Sequence, residues 1–283
     1  MMRSLRRRLV AALDGLIAHA VWVADHQAAH QETSWRQTAS MNYAALAGLA
    51  QRYGWDSLGS FEAKVFSQNG EDGVLAEIFS HIGTTNSFFV EFGSSDGIEC
   101  NTRLLMEVLG WSGAYFEPDA RAFAALSDRL AARLDVSVLQ AAVTAENVND
   151  LFAKVEVPEE PDLVSIDIDG QDYWVWEALE GYRPRVVVIE YNASLSGRLV
   201  ERKDPTAVWE PQKGFGSASL DAMKALATKK GYTFVYAELA GVNLFFVRDD
   251  LSGAFDTEAV ARGANFELLG RRHPPFQGQF VEV

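Results

Sequence analysis

Four oxygen-bearing side chains stand at two-residue spacing at the ends of two apolar runs. Asp167 and Asp169 close the run beginning at Leu163, and Glu190 and Asn192 close the run beginning at Val186. In an extended strand, residues i and i+2 share a face, so each pair is expected to point the same way. Neighbouring strand ends would then offer four oxygen donors to one crevice. Oxygen-only donors suit Mg²⁺ or Mn²⁺ rather than zinc. A cation held by Asp167, Asp169, Glu190 and Asn192 would chelate substrate oxygens and acidify an attacking hydroxyl. The same residues also allow a metal-free reading, in which Asp169 caps the following helix and Glu190 acts as a general base. Asp167, Asp169 and Glu190 are the candidate catalytic residues under either reading.

A second constellation lies in Phe88–Thr102, FFVEFGSSDGIECNT. An apolar run leads into a Gly-Ser-Ser-Asp-Gly turn and then a helical pattern. Gly93 and Gly97 permit a tight turn and the close approach of a ligand, and the helix behind it would point free N–H groups at that ligand. A dinucleotide site needs G-x-G-x-x-G so that a pyrophosphate can rest on the backbone. Here the second glycine is a serine, and Glu91 and Asp96 would repel a pyrophosphate. Acids suit a sulfonium or ammonium ligand instead. Glu117, twenty residues beyond Gly97 at the end of Gly113–Phe116, is placed to accept hydrogen bonds from ribose hydroxyls. Asp119 reads first as a helix N-cap. Ser67-Gln68-Asn69-Gly70-Glu71-Asp72 precedes another helix, and its amides either hold the far end of the ligand or merely cap that helix.

The elements that must position these groups follow from hydrophobic patterning. Strands are expected at Phe88–Phe92, Gly113–Phe116, Val136–Leu139, Leu163–Ile168, Val186–Glu190, Thr233–Ala237 and Leu244–Val247. Helices are expected at Glu71–His81, Asn101–Leu109, Arg121–Leu134, Ala145–Val155, Tyr173–Leu179 and Ser219–Lys229. Only Glu238 to Asn243 separate the last two strands, too few residues for a crossover, so they should form an antiparallel hairpin. The fold class is therefore α/β, a doubly wound, seven-stranded and mostly parallel sheet. Residues 1–60 read as a helical N-terminal extension and 61–283 as the catalytic domain. The extension's Arg3, Arg6, Arg7 and Arg8 followed by apolar residues point first to self-association as a homo-oligomer and second to peripheral membrane contact.

The composition, 48% hydrophobic and 23% charged, is that of a folded domain, and the net charge of -14 disfavours a nucleic-acid partner. Cys100 is the single cysteine, which excludes an intrachain disulfide and a cysteine-based zinc site. There is no G-x-S-x-G elbow, and the five histidines lie away from the strand ends. The long segment from Tyr191 to Ser219 carries Arg198, Arg202, Lys203, Trp209 and Lys213, which suits either a lid over an anionic or glycosyl substrate or a solvated loop.

Gly93 to Gly97, Glu117 and Asp167-Ile168-Asp169-Gly170 resemble the class I S-adenosylmethionine-dependent methyltransferases. The acid-Gly pair after the fourth strand is similar to the FkbM-like family, which mostly methylates hydroxyls of sugars and related natural products. The similarity spans roughly Phe66 to Val247. That subgroup commonly has Glu at the second acid, where this chain has Asp169. The resemblance implies S-adenosylmethionine as cofactor, a small-molecule or glycan acceptor and a cytoplasmic enzyme. It also strengthens the metal reading, because catechol-type and some sugar methyltransferases bind a metal through groups after these two strands. The residues assigned to the cofactor are Gln68, Asn69, Glu91, Gly93, Asp96, Gly97, Asn101, Glu117, Pro118 and Asp167. The competing readings are an oxidoreductase using NAD or a nucleotide sugar, and a non-catalytic assembly subunit with a relic cofactor pocket.

Overall fold

The computed structural model describes residues 58–207, 214–255 and 278–283, together with 37, 40–45, 48, 49, 52 and 276. Seven strands form one sheet: β1 Phe88–Phe92, β2 Ser112–Glu117, β3 Val136–Gln140, β4 Leu163–Ile166, β5 Val186–Glu190, β7 Tyr232–Ala237 and β8 Asn243–Arg248. Their spatial order is β3-β2-β1-β4-β5-β8-β7. The first five strands are mutually parallel, and β8 runs antiparallel to both β5 and β7. A parallel sheet that doubles back at β1 and ends in an antiparallel hairpin is the Rossmann-like class I methyltransferase fold, as the sequence predicts.

Near-continuous apolar strands such as Val186–Ile189 form because both faces of the sheet are covered. Alternate side chains enter two separate cores. On one face Phe89, Tyr115, Val188 and Phe245 meet helices α1 (Glu71–Ile82), α2 (Arg103–Leu109) and α3 (Ala120–Leu130). On the other, Phe92, Val164, Ile189 and Phe246 meet α4 (Val148–Lys154), α5 (Asp172–Ala178) and α6 (Leu220–Lys230). Each fully buried aliphatic or aromatic side chain contributes about 1.5–3 kcal/mol. This framework fixes the C-terminal edge of the parallel strands, where the chemistry-bearing loops lie.

Several boundaries differ from the sequence reading. The helix expected from Asn101 begins at Arg103, because the Asn101 and Thr102 N–H groups are drawn to the Glu91 carboxylate. The helix expected to reach Leu134 ends at Leu130, and Ala145–Val155 contracts to Val148–Lys154. The strand expected to reach Ile168 ends at Ile166. Strands β6 (Leu199–Glu201) and β9 (Phe280–Glu282) form a second, two-stranded antiparallel sheet that the sequence did not reveal.

Most of the expected N-terminal extension lies outside the described residues. Of those described within it, 37, 40–45, 48, 49 and 52 are helical, 58 lies in a turn, and 59 and 60 begin a short 3-10 helix, Gly59–Phe61. Tyr43 and Leu58 are nevertheless buried, and Leu58 joins the core under α1. Among the described residues no helix is long and apolar enough to cross a membrane.

Candidate active site

The glycine loop leaves β1 at Phe92 and turns at Gly93, whose φ is 69°. The turn is tight against the chain itself: a Cβ on Gly93 would stand 1.7 Å from the Asp167 carbonyl oxygen. At Gly97, with φ 74°, a Cβ would stand 2.5 Å from Leu126 Cδ1 on α3. Both glycines are thus required where the loop packs against the turn after β4 and against α3, in keeping with the tight turn expected of them.

Glu91 braces this loop from beneath. Its carboxylate accepts the N–H groups of Asn101 (2.8 Å) and Thr102 (3.1 Å) and the Thr102 hydroxyl. Burial pushes its pKa up to about 7 against the lowering effect of those donors. Asn101 in turn gives its amide Nδ2–H to Ser165 Oγ on β4 (3.1 Å). Glu91 and Asn101, expected at the cofactor, are therefore engaged in holding the loop's shape. Asp96 closes a local turn by accepting the Ile98 N–H. Ser94 is buried, and its hydroxyl has no hydrogen-bond partner.

Glu117 ends β2 beside the loop. One carboxylate oxygen accepts the Ser95 N–H at 2.7 Å and the other the Asp119 N–H at 2.8 Å. Burial raises its pKa, against those two bonds. Each oxygen retains a lone pair, which is what two ribose hydroxyls require. Asp119 caps α3 by accepting the Arg121 and Ala122 N–H groups, as expected. Pro118 is exposed between them, with its carbonyl near the Gln140 amide.

At the ends of β4 and β5 three acids converge. Asp167, Asp169 and Glu190 each present a carboxylate oxygen within 4.8 Å of the other two. They do so by a route other than the one expected. The chain leaves the strand before Asp167, and Asp169 adopts a left-handed φ of 58°. The turn is held by Asp172, which accepts the Ile168 N–H (2.8 Å) and the Gly170 N–H (2.9 Å). Equal facing thus comes from a capped turn and not from strand periodicity.

The field among these acids is severe. Burial first, then Asp169 and Asp172, raise the Asp167 pKa; burial, then Asp167 and Asp169, raise that of Glu190. Asp169 is pushed up to about 7 by burial, Asp172 and Glu117, and Asp172 to about 6 chiefly by burial. A hydrogen bond joins Asp167 and Glu190, so the pair shares a proton, and Glu190 Oε2 has no hydrogen-bond partner. So many acids cannot all ionise in a poorly solvated site unless a cation joins them. The oxygen-only donor set, its span and the unpartnered Oε2 all fit a Mg²⁺-like ion. Asn192, two residues beyond β5, donates through Nδ2 to the Phe215 and Gly216 carbonyls and accepts the Ser194 N–H at Oδ1.

Before α1, Gln68 is exposed and Asn69 is buried. Lys64 Nζ donates to the Ser67 and Gln68 carbonyls and to Glu99 Oε1 (2.8 Å), which ties this loop to the glycine loop. In the long connection after β5, Lys203 pairs with Glu146 and Arg202 with Gln279, whereas Trp209 and Lys213 lie outside the described residues. Sequence reasoning missed Asp172, Ser165 and Thr102. The spacing Asp-Ile-Asp-Gly-Gln-Asp was the available signal for the first; Ser165 and Thr102 had none.

No protein-family model matches the chain, and no curated protein matches it. Among solved structures, it is similar to the N-terminal domain of EvdMO1 in the presence of SAH and D-fucose, at 12% identity and a TM-score of 0.44, covering 63% of this chain and 82% of that one. It is similar to a putative caffeoyl-CoA O-methyltransferase from Staphylococcus aureus, at 13% identity and a TM-score of 0.46, covering 74% of this chain and 99% of that one. It is also similar to the pyocyanin biosynthetic protein PhzM, at 14% identity and a TM-score of 0.39, covering 61% of this chain and 53% of that one. Likenesses this distant assign no reaction to the chain, whose own residues must carry the functional reading.

Proposed function

We propose that this chain is an S-adenosylmethionine-dependent O-methyltransferase acting on a hydroxyl of a sugar, glycan or related natural product, with a divalent cation held by Asp167, Asp169 and Glu190. The observation that carries the reading is the convergence of those three carboxylates beside a glycine loop whose neighbouring strand ends in Glu117. The cofactor supplies an electrophilic methyl on a sulfonium, and the cation supplies Lewis acidity toward an acceptor oxygen. Glu117 orients the nucleoside through its ribose hydroxyls. Asp167 and Glu190 hold the acceptor hydroxyl in line, and a carboxylate of the pair takes up its proton as the methyl passes from sulfur to oxygen; a cation on that oxygen would make the proton easier to remove. The buried, acid-rich floor favours positive charge at the methyl donor over a pyrophosphate, which separates this reading from a dinucleotide oxidoreductase.

Residues 1–60 are read as a self-association segment of a cytoplasmic enzyme; light scattering on the full chain and on a chain lacking them tests that part.

The decisive assay uses labelled S-adenosylmethionine and a panel of glycosides, with thorough chelation followed by Mg²⁺ or Mn²⁺ add-back. Activity should vanish and return. Activity that survives chelation but is lost in Asp167→Asn or Glu190→Gln removes the metal and leaves a carboxylate as base. No transfer to any hydroxyl, with transfer to carbon or nitrogen acceptors, overturns the O-methylation reading.

A further inference from the structure

Residues 40–45 are helical, and 41, 42, 44 and 45 are exposed, whereas Tyr43 is 1% exposed. Three residues before it, Ser40 gives its hydroxyl to the Lys64 carbonyl at 2.9 Å. Positions i and i+3 share a helix face, so this stretch docks through one narrow face at two points. Ser40 reaches the loop before α1. Tyr43 lies among three buried carboxyl groups: burial first, then Glu238, Glu71 and Glu62, raise its pKa.

Those carboxyls hold the tip of the β7–β8 hairpin. Glu62 accepts the Tyr236 hydroxyl (2.6 Å) and the Leu239 N–H (2.7 Å). Glu238 accepts the N–H groups of Ala240 (2.8 Å), Val242 (2.6 Å) and Asn243 (3.2 Å), and Glu71 accepts the Asn243 Nδ2–H (2.8 Å). The tip in turn holds the end of β5. Tyr191, directly after Glu190, donates its N–H to the Val242 carbonyl at 2.9 Å, and Glu190 itself pairs in register with Asn243. Hydrogen bonds of this kind are strong where water is absent and yield where it enters. The Tyr43 hydroxyl is buried without a hydrogen-bond partner. What Tyr43 supplies is therefore the bulk that excludes water, and not a bond.

We propose that residues 40–45 are a strap belonging to the catalytic fold, in which Tyr43 keeps the Glu62, Glu71 and Glu238 cluster dry and so holds the hairpin against β5 beside Glu190. Tyr43 is a positioning residue, acting through Glu62 and Glu238 on the backbone next to the acid trio. The inference takes from the functional reading only the place of Glu190 in the active site. It also sets the start of the catalytic unit before residue 61.

Amide hydrogen exchange on the full chain, with neither cofactor nor acceptor present, tests this, so its outcome is independent of whether methyl transfer is found. Tyr43→Ala opens a polar gap that admits water. The amides of Leu239, Ala240, Val242 and Asn243, and that of Tyr191, should then speed up by about tenfold more than those of β1 and β4. Tyr43→Phe removes only the unpartnered hydroxyl and should leave them within about twofold of the unaltered chain. Met41→Ala, at a neighbour 73% exposed, should do likewise. Tyr43→Leu opens a smaller gap and should give the same pattern at reduced size, which serves if Tyr43→Ala does not fold. Hairpin amides that speed up no more than those of β1 and β4 overturn the strap. A loss in Tyr43→Phe as large as in Tyr43→Ala overturns the exclusion of water.

Discussion

Gly93 packs directly against the turn that bears Asp167: a Cβ there would fall 1.7 Å from the Asp167 carbonyl oxygen. Any side chain at Gly93 must push the turn bearing Asp167 and Asp169 away from β1, and must also adopt a positive φ. Gly93→Ala should therefore lose about 1–3 kcal/mol from backbone strain alone. It should also lose cofactor and cation binding together. Denaturant unfolding and paired titrations check this; a variant of unchanged stability that loses only one ligand would show the two loops to be independent.

Glu117 should behave differently, because each of its carboxylate oxygens accepts one backbone N–H and keeps a free lone pair. Glu117→Ala is expected to weaken both S-adenosylhomocysteine and 5′-methylthioadenosine by about 1–3 kcal/mol, the range for a lost charged acceptor. Calorimetry that shows unchanged affinity would move the ribose elsewhere.

The acid cluster gives a pH dependence whose sign is fixed by the direction of its shifts. Asp169 and Asp172 have folded pKa values raised to about 7 and about 6 by burial, above the ordinary value near 3.9. The folded state thus binds protons more tightly than the unfolded chain. The stability this confers is complete below about pH 4 and is lost as pH rises through about 6 to 7. A divalent cation competes for the same oxygens, so Mg²⁺ should raise the melting temperature more at pH 8 than at pH 5. Asp169→Asn should flatten both trends. Melts in chelator that are level between pH 5 and 8 would contradict the burial of these carboxyl groups.

Most of the sheet was legible because strands buried on both faces read as apolar runs, and because a six-residue gap admits only a hairpin. Helix ends were less so: α2 starts late on account of Glu91, a contact ten residues distant that periodicity does not encode. The acid trio was found for an incomplete reason. Its residue types and strand ends were readable, but the left-handed turn at Asp169 is held by Asp172, whose carboxylate accepts the Ile168 and Gly170 N–H groups. Asn243, expected in the hairpin connection, opens β8 and donates its amide to Glu71, a contact 172 residues distant that no local pattern encodes. β6 and β9 are three residues each and join segments some eighty residues apart in sequence, a pairing that no local pattern reveals.

The boundary near residue 60 can be tested by packing. Leu58 is 4% exposed and belongs to the core under α1. Leu58→Ala should cost about 2–5 kcal/mol, the range for emptying a buried aliphatic site. A cost near zero in chemical denaturation would place this residue outside the cooperative unit of the seven-stranded sheet.

The central claim is that the glycine loop and Glu117 recognise an adenosyl sulfonium and not a dinucleotide. Titration of the purified chain with S-adenosylhomocysteine and with NAD, side by side under the same salt and pH, tests it most directly. The account predicts saturable one-to-one binding of S-adenosylhomocysteine and no heat from NAD. Saturable NAD binding with no response to S-adenosylhomocysteine would contradict it.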